Sequence, residues 1–120
     1  MSCDGCQQLP DFPCMAAGQK QTLVADFGQF LPPGVTLTGT PTVTAALAAS
    51  NQGTDGNPSA RLIGSAVVVT PSRGTDLPNV GIAQQFLPLG GVTYVLTWTC
   101  LRSDGDIAAG YNHVFCAAPA

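Results

Sequence analysis

Apolar and polar residues alternate in short runs along most of this chain, and turn-forming residues separate the runs. Over residues 19–27, Leu23, Ala25 and Phe27 fall on one face and Thr22, Val24 and Asp26 on the other, the period of two expected of a half-buried strand. Residues 30–34 (Phe-Leu-Pro-Pro-Gly) read as a turn, and residues 35–47 as one or two strands kinked at Pro41. The Ala45–Ala49 run is too short for a helix to stand alone, so it is read as continued strand. Further strands are expected over residues 61–70, with a bulge or bend at Gly64, and over residues 80–87. Residues 92–116 carry two runs rich in β-branched and aromatic residues around Ser103-Asp104-Gly105-Asp106, which predicts a β-hairpin. With Asp104 and Gly105 as a two-residue loop, Trp98 lies opposite Tyr111, Leu96 opposite His113 and Tyr94 opposite Phe115. The predicted core is therefore Leu23, Phe27, Tyr94, Leu96, Trp98, Tyr111 and Phe115.

Six or seven short strands with no helical period predict an all-β protein: a single antiparallel β-sandwich, immunoglobulin-like or jelly-roll-like, over residues 20–117. Residues 1–19 hold Pro10, Pro13, Gly18 and three of the five cysteines, and read as an extended N-terminal arm.

Composition sharpens this picture. At 120 residues the chain suits one domain, and its 45% hydrophobic content separates it from disordered sequences equally rich in Gly and Pro. Only 9% of residues are charged, Glu is absent, and net charge is −3. The four cations, Lys20, Arg61, Arg73 and Arg102, are scattered, so the basic patch that nucleic acid requires is missing. So low a charge gives a free monomer little self-repulsion and points to a surface covered by partners. The first residues lack the charged and apolar regions of a secretory signal, and no run approaches a membrane span. The chain is expected to be made in the cytosol and to stay soluble, with no membrane partner.

The cysteines are the main candidate chemistry. Cys3-Asp4-Gly5-Cys6 has zinc-knuckle spacing, and Cys14 with Cys116 or His113 could complete a tetrahedral set. A zinc motif usually has two such knuckles and this chain has one, so disulfide stapling ranks first and a small zinc-binding module second. An odd count of five leaves at least one thiol free or paired between subunits. In the register above Cys100 and Cys116 face opposite sides of the hairpin. Cys116 is therefore paired with an arm cysteine, and Cys100 is read as a buried free thiol beside Trp98. His113, the only histidine, has no evident triad partners, and the carboxylates Asp55, Asp76, Asp104 and Asp106 sit beside turn residues where Asp caps its own backbone. No catalytic residue and no cofactor is assigned, and the chain is not read as an enzyme.

The order of several segments resembles a known group. Asp26-Phe27, Leu31-Pro32-Pro33-Gly34-Val35-Thr36-Leu37, Gly53-Thr54-Asp55-Gly56, Gln84-Gln85-Phe86, Gly91-Val92-Thr93-Tyr94-Val95-Leu96 and Ser103-Asp104-Gly105 look like small virion proteins of tailed bacteriophages. In that group a "DF…LPxG…T" opening precedes a "GxxYxxxxxxxxSDG" hairpin on an immunoglobulin-like or related β-sandwich. The resemblance covers residues 22–116 and leaves out the cysteine arm. It implies a structural virion component made in the host cytoplasm: a capsid decoration or cement protein that bridges and stabilises major capsid subunits, often as a trimer, or else a neck or tail accessory protein. The arm departs from the group and would fit an added covalent lock between subunits outside the cell.

Overall fold

The computed structural model describes residues 7–9, 11–12, 15–16, 19–70 and 79–117. Cys3, Cys6, Cys14 and Asp76 lie outside the described residues, as does the side chain of Cys116. The described chain is all-β, with one short 3₁₀ turn at Pro58–Arg61 and no α-helix among the described residues. In chain order the strands are β1 (Gln7–Gln8), β2 (Met15–Ala16), β3 (Gln21–Asp26), β4 (Leu37–Leu47), β5 (Leu62–Val69), β6 (Gly81–Phe86), β7 (Thr93–Arg102) and β8 (Ile107–Ala117).

These strands make two antiparallel sheets stacked as a sandwich. One has the order β4-β7-β8, and β1 and β2 are added in parallel along the outer edge of β8; the other has the order β3-β6-β5. The alternation read from the sequence decides which side of each strand is covered. Leu23, Ala25 and Phe27 are buried from β3 and its end, and Tyr94, Leu96, Trp98 and Cys100 from β7. Ile82, Phe86, Leu37, Val92 and Val114 join them in the interior. β4 is one strand whose register shifts between Thr38 and Thr42, around Pro41, and β5 shifts between Ile63 and Val67, at Gly64. The Ala45–Leu47 stretch is strand, paired with β7 from Leu96 to Tyr94.

The hairpin register departs from the expectation by one residue. Trp98 pairs with Gly110, Leu96 with Asn112 and Tyr94 with Val114, while Tyr111 pairs with Thr97 and Phe115 with Thr93. The loop has three residues rather than two. Arg102 N–H donates to the Asp106 carbonyl (2.7 Å) and Gly105 N–H to the Arg102 carbonyl (3.0 Å), a turn closed by Gly105 at φ +89°. Asp104 stays at negative φ, whereas a two-residue loop would need positive φ at both Asp104 and Gly105. Side chains alternate with period two, so this one-residue slip sends Tyr111 and Phe115 to the opposite face. Tyr111 is half-buried there and Phe115 is 44% exposed; neither belongs to the core.

The N-terminal segment is held by strand pairing. Gln7 pairs with Gly110 and Met15 with Cys116, Leu9 N–H donates to the Tyr111 carbonyl (2.8 Å), and Phe12 N–H to that of His113 (3.1 Å). Leu9 is 2% exposed and part of the core, and Phe12 meets Trp98 edge-on. A segment expected only as an arm beside the sandwich thus fills part of its interior.

Candidate functional site

Three features combine chemistry with position. The first is a buried polar cluster where the turn after β4 meets the turn before β7. Asp55 Oδ1 accepts the Asn57 N–H (2.9 Å), the local capping expected of a turn aspartate. Its Oδ2 accepts the Tyr94 hydroxyl (2.7 Å) and lies 3.6 Å from Arg61 Nε. The Tyr94 oxygen in turn accepts the Leu89 N–H (3.1 Å). Burial, aided by the neighbouring carboxylate, pushes the Tyr94 phenol up to about 12. The cluster ties two turns and a strand together, and it lies inside the molecule, where it is structural.

The second is a groove at one end of the β4-β7-β8 sheet, lined by Asp11, Phe12, Ser50, Thr93, His113 and Phe115. Asp11 accepts the backbone N–H of His113 (2.8 Å), and its carboxylate is 3.5 Å from His113 Nδ1. This partner, 102 residues away in sequence, could not be read from spacing. Ser50 lines the same groove, but no hydrogen bond joins it to His113 among the described residues. The constellation therefore shows a carboxylate–imidazole pair without an engaged nucleophile.

The third is the outer face of the β4-β7-β8 sheet. The registers align Thr38, Leu101 and Ile107 in one row, then Thr42, Thr99 and Ala109, then Thr44, Thr97 and Tyr111, then Ala46, Val95 and His113, with Thr93 beside Phe115 at the end. No Asp, Lys or Arg stands in these rows, and Leu101, Ile107 and Phe115 are 45%, 57% and 44% exposed. Three strands at about 4.8 Å spacing and nine residues at about 3.3 Å make a plane of roughly 400 Å². That is the size of the largest apolar patches monomers carry, and about half of what one partner buries in a standard interface. Charge stands at both ends of the rows: Asp11 beside His113 at one, and at the hairpin tip the Arg102 guanidinium, which grips both oxygens of Asp104 and holds that carboxyl below its usual range.

The hairpin turn at Asp104 and Gly105 stands at that tip. Cys100 is a buried free thiol whose Sγ–H reaches the Thr38 carbonyl (3.2 Å), and burial pushes its pKa up. Its ladder partner is Ala108, eight residues or roughly 26 Å along β8 from Cys116. Along the backbone this distance, and not the expected two-residue register, separates the two positions. Three of the four residues of the disulfide or zinc set lie outside the described residues, so the set is not placed. No group of three or more His, Cys or Asp side chains able to hold a metal occurs among the described residues. No helix of the described chain is long and apolar enough to cross a membrane.

Fold and surface together define an all-β protein of two antiparallel sheets, one of them with an outer face whose rows carry no Asp, Lys or Arg. Compared with known proteins, the chain matches no family model, no curated protein and no solved structure.

Proposed function

We propose that this chain is a structural, non-enzymatic component of a tailed-phage virion: a capsid decoration protein, on an immunoglobulin-like or jelly-roll-like sandwich, that bridges neighbouring major capsid subunits. The observation that carries the reading is the outer face of the β4-β7-β8 sheet, whose rows from Thr38 to Phe115 contain no Asp, Lys or Arg and are lined with Thr, Val and aromatic residues, with Asp11 beside His113 at one end. Away from Asp11, covering such a face strips water from no Asp, Lys or Arg, so docking against another protein desolvates little that must be repaid. The segment resemblance of residues 22–116 supplies the partner class, and assembly as a trimer would multiply a face too small to bind tightly alone.

The test is to mix the purified full-length chain with shells built from the major capsid protein of the phage that encodes it, then measure bound copies and heat resistance of the shells. Stoichiometric binding on the outer surface with a raised disruption temperature is the expected result. Absence of binding, or location only at the neck or tail of native particles, would overturn the capsid reading.

A further inference from the structure

The edge of β8 is built to receive a strand, and what it receives need not come from the same molecule. From Gly110 to Ala117 this edge is occupied by the chain's own N-terminal segment, through parallel pairing at Gln7, Gln8, Met15 and Ala16 and through the amides of Leu9 and Phe12. Parallel pairing on an otherwise antiparallel sheet is slightly the less stable kind. The seat has a specific socket. A Cβ on Gly110 would come within 3.0 Å of Leu9 Cγ and Cδ1 and of Phe27 Cε1, so the missing side chain at Gly110 is the space Leu9 occupies. Without a strand there, β8 would present a row of unpaired backbone groups beside an open hole in the core, a surface that sheet proteins keep covered.

The connection to the rest of the fold is short. Four residues, Ala17 to Lys20, separate β2 on the edge of one sheet from β3, which lies in the other sheet. Stacked sheets stand about 10 Å apart, and such a link spans at most roughly 17 Å when extended. A segment joined in this way has two seats that offer the same contacts, its own β8 edge or that of a neighbouring copy.

We infer that the β8 edge is a strand-acceptor site whose partner is the 7–12 segment of a second copy, with Leu9 seating in the Gly110 socket of its neighbour. The occupant is specified by the groove itself: an apolar side chain opposite Gly110, an amide reaching the Tyr111 carbonyl, and a carboxylate at Asp11 that accepts the His113 N–H. The inference concerns how copies join and stands apart from the capsid reading.

The test uses the full-length chain with its thiols kept reduced, so that no disulfide can join copies. Two full-length variants are compared with the wild type by sedimentation velocity and native mass spectrometry: Leu9→Asp, with an intact socket and a disabled segment, and Gly110→Val, with the reverse. The wild type is expected to form concentration-dependent oligomers, and each variant alone to associate at least about tenfold more weakly, the scale of losing one buried Leu. An equimolar mixture should recover a heteromer in which Leu9 of the Gly110→Val chain fills the free socket. If a variant does not fold, a labelled peptide of residues 7–12 decides the matter: in excess it should dissolve the wild-type oligomer, while its Leu9→Asp counterpart binds at least about tenfold more weakly. A wild type that stays monomeric without exchanging mass labels between copies would overturn the inference. So would an oligomer untouched by both substitutions and by the peptide.

Discussion

Replacing Tyr94 by Phe isolates a single oxygen. The ring of Tyr94 is fully buried and packs edge-on against Phe86 at 5.1 Å, contacts that Phe keeps. What is lost is the 2.7 Å bond to Asp55 Oδ2 and the acceptor for the Leu89 N–H. A hydrogen bond to a charged group is worth about 1.5–3 kcal/mol, and Asp55, only 7% exposed, has little water to replace it. Arg61 at 3.6 Å keeps part of the Coulombic stabilisation, so the net cost is about 2–3 kcal/mol. For a chain of this length that is a fall in Tm of roughly 6–15 °C by calorimetry. The gap should also depend on pH. With the phenol at about 12 in the fold against 10.0 ordinarily, the folded state keeps a proton that the unfolded chain releases between those values. Folded tyrosine thus holds more protons, and wild-type stability falls as pH rises through the window, by on the order of 2 kcal/mol, while the Tyr94→Phe variant has no such slope from this position. The wild-type advantage should therefore be full below pH 10 and shrink toward pH 12. A melting difference under about 2 °C, or one that stays constant across that window, would refute the reasoning.

The other predictions concern the thiol, the outer face and the loop. Cys100, buried with a raised pKa, should resist alkylation in the folded chain and react in urea, followed by mass spectrometry of its peptide; full labelling under native conditions would contradict its burial. Thr97→Lys should change stability by no more than about 0.5 kcal/mol in denaturant titration yet abolish binding to capsid shells, and unchanged binding would remove this face from the proposed contact. Replacing Ser103-Asp104-Gly105 by Asn-Gly keeps Arg102 opposite Asp106 while removing the Ser103–Thr36 hydrogen bonds and the Arg102–Asp104 pair, so Tm should fall modestly but the emission of buried Trp98 should stay as in the wild type; a red-shifted Trp98 emission in the folded variant would mean that the observed register does not depend on that closing pair.

What was legible in the sequence is local. The alternation of Leu23, Ala25 and Phe27 needed only its own strand, and the position of the hairpin turn needed only Asp104 and Gly105. The contacts that define the candidate sites join residues far apart: Tyr94 with Asp55 across 39 positions, His113 with Asp11 across 102. No spacing rule reaches so far. The N-terminal segment was illegible for another reason. Pro10 and Pro13 mark it as loop, since neither can donate to a ladder, yet an edge position requires only some of the amides, and Leu9 and Phe12 supply them.

The register, by contrast, could have been decided by volume. A two-residue loop sets Tyr111 against Trp98 and Phe115 against Tyr94, so large rings face large rings across the ladder. The observed loop sets Gly110, Asn112 and Val114 against Trp98, Leu96 and Tyr94. Small opposite large lets the sheet lie flat on its partner, leaves the space at Gly110 that Leu9 fills, and gives the Trp98 indole N–H an acceptor in Asn112 Oδ1 at 3.0 Å. It also turns Tyr111, His113 and Phe115 outward, where they join Thr97, Val95 and Thr93 in the outer face. One additional loop residue therefore determines both which side chains fill the interior and which surface a partner meets, and the two proposals made for this chain rest on its opposite consequences: the socket inside and the plane outside.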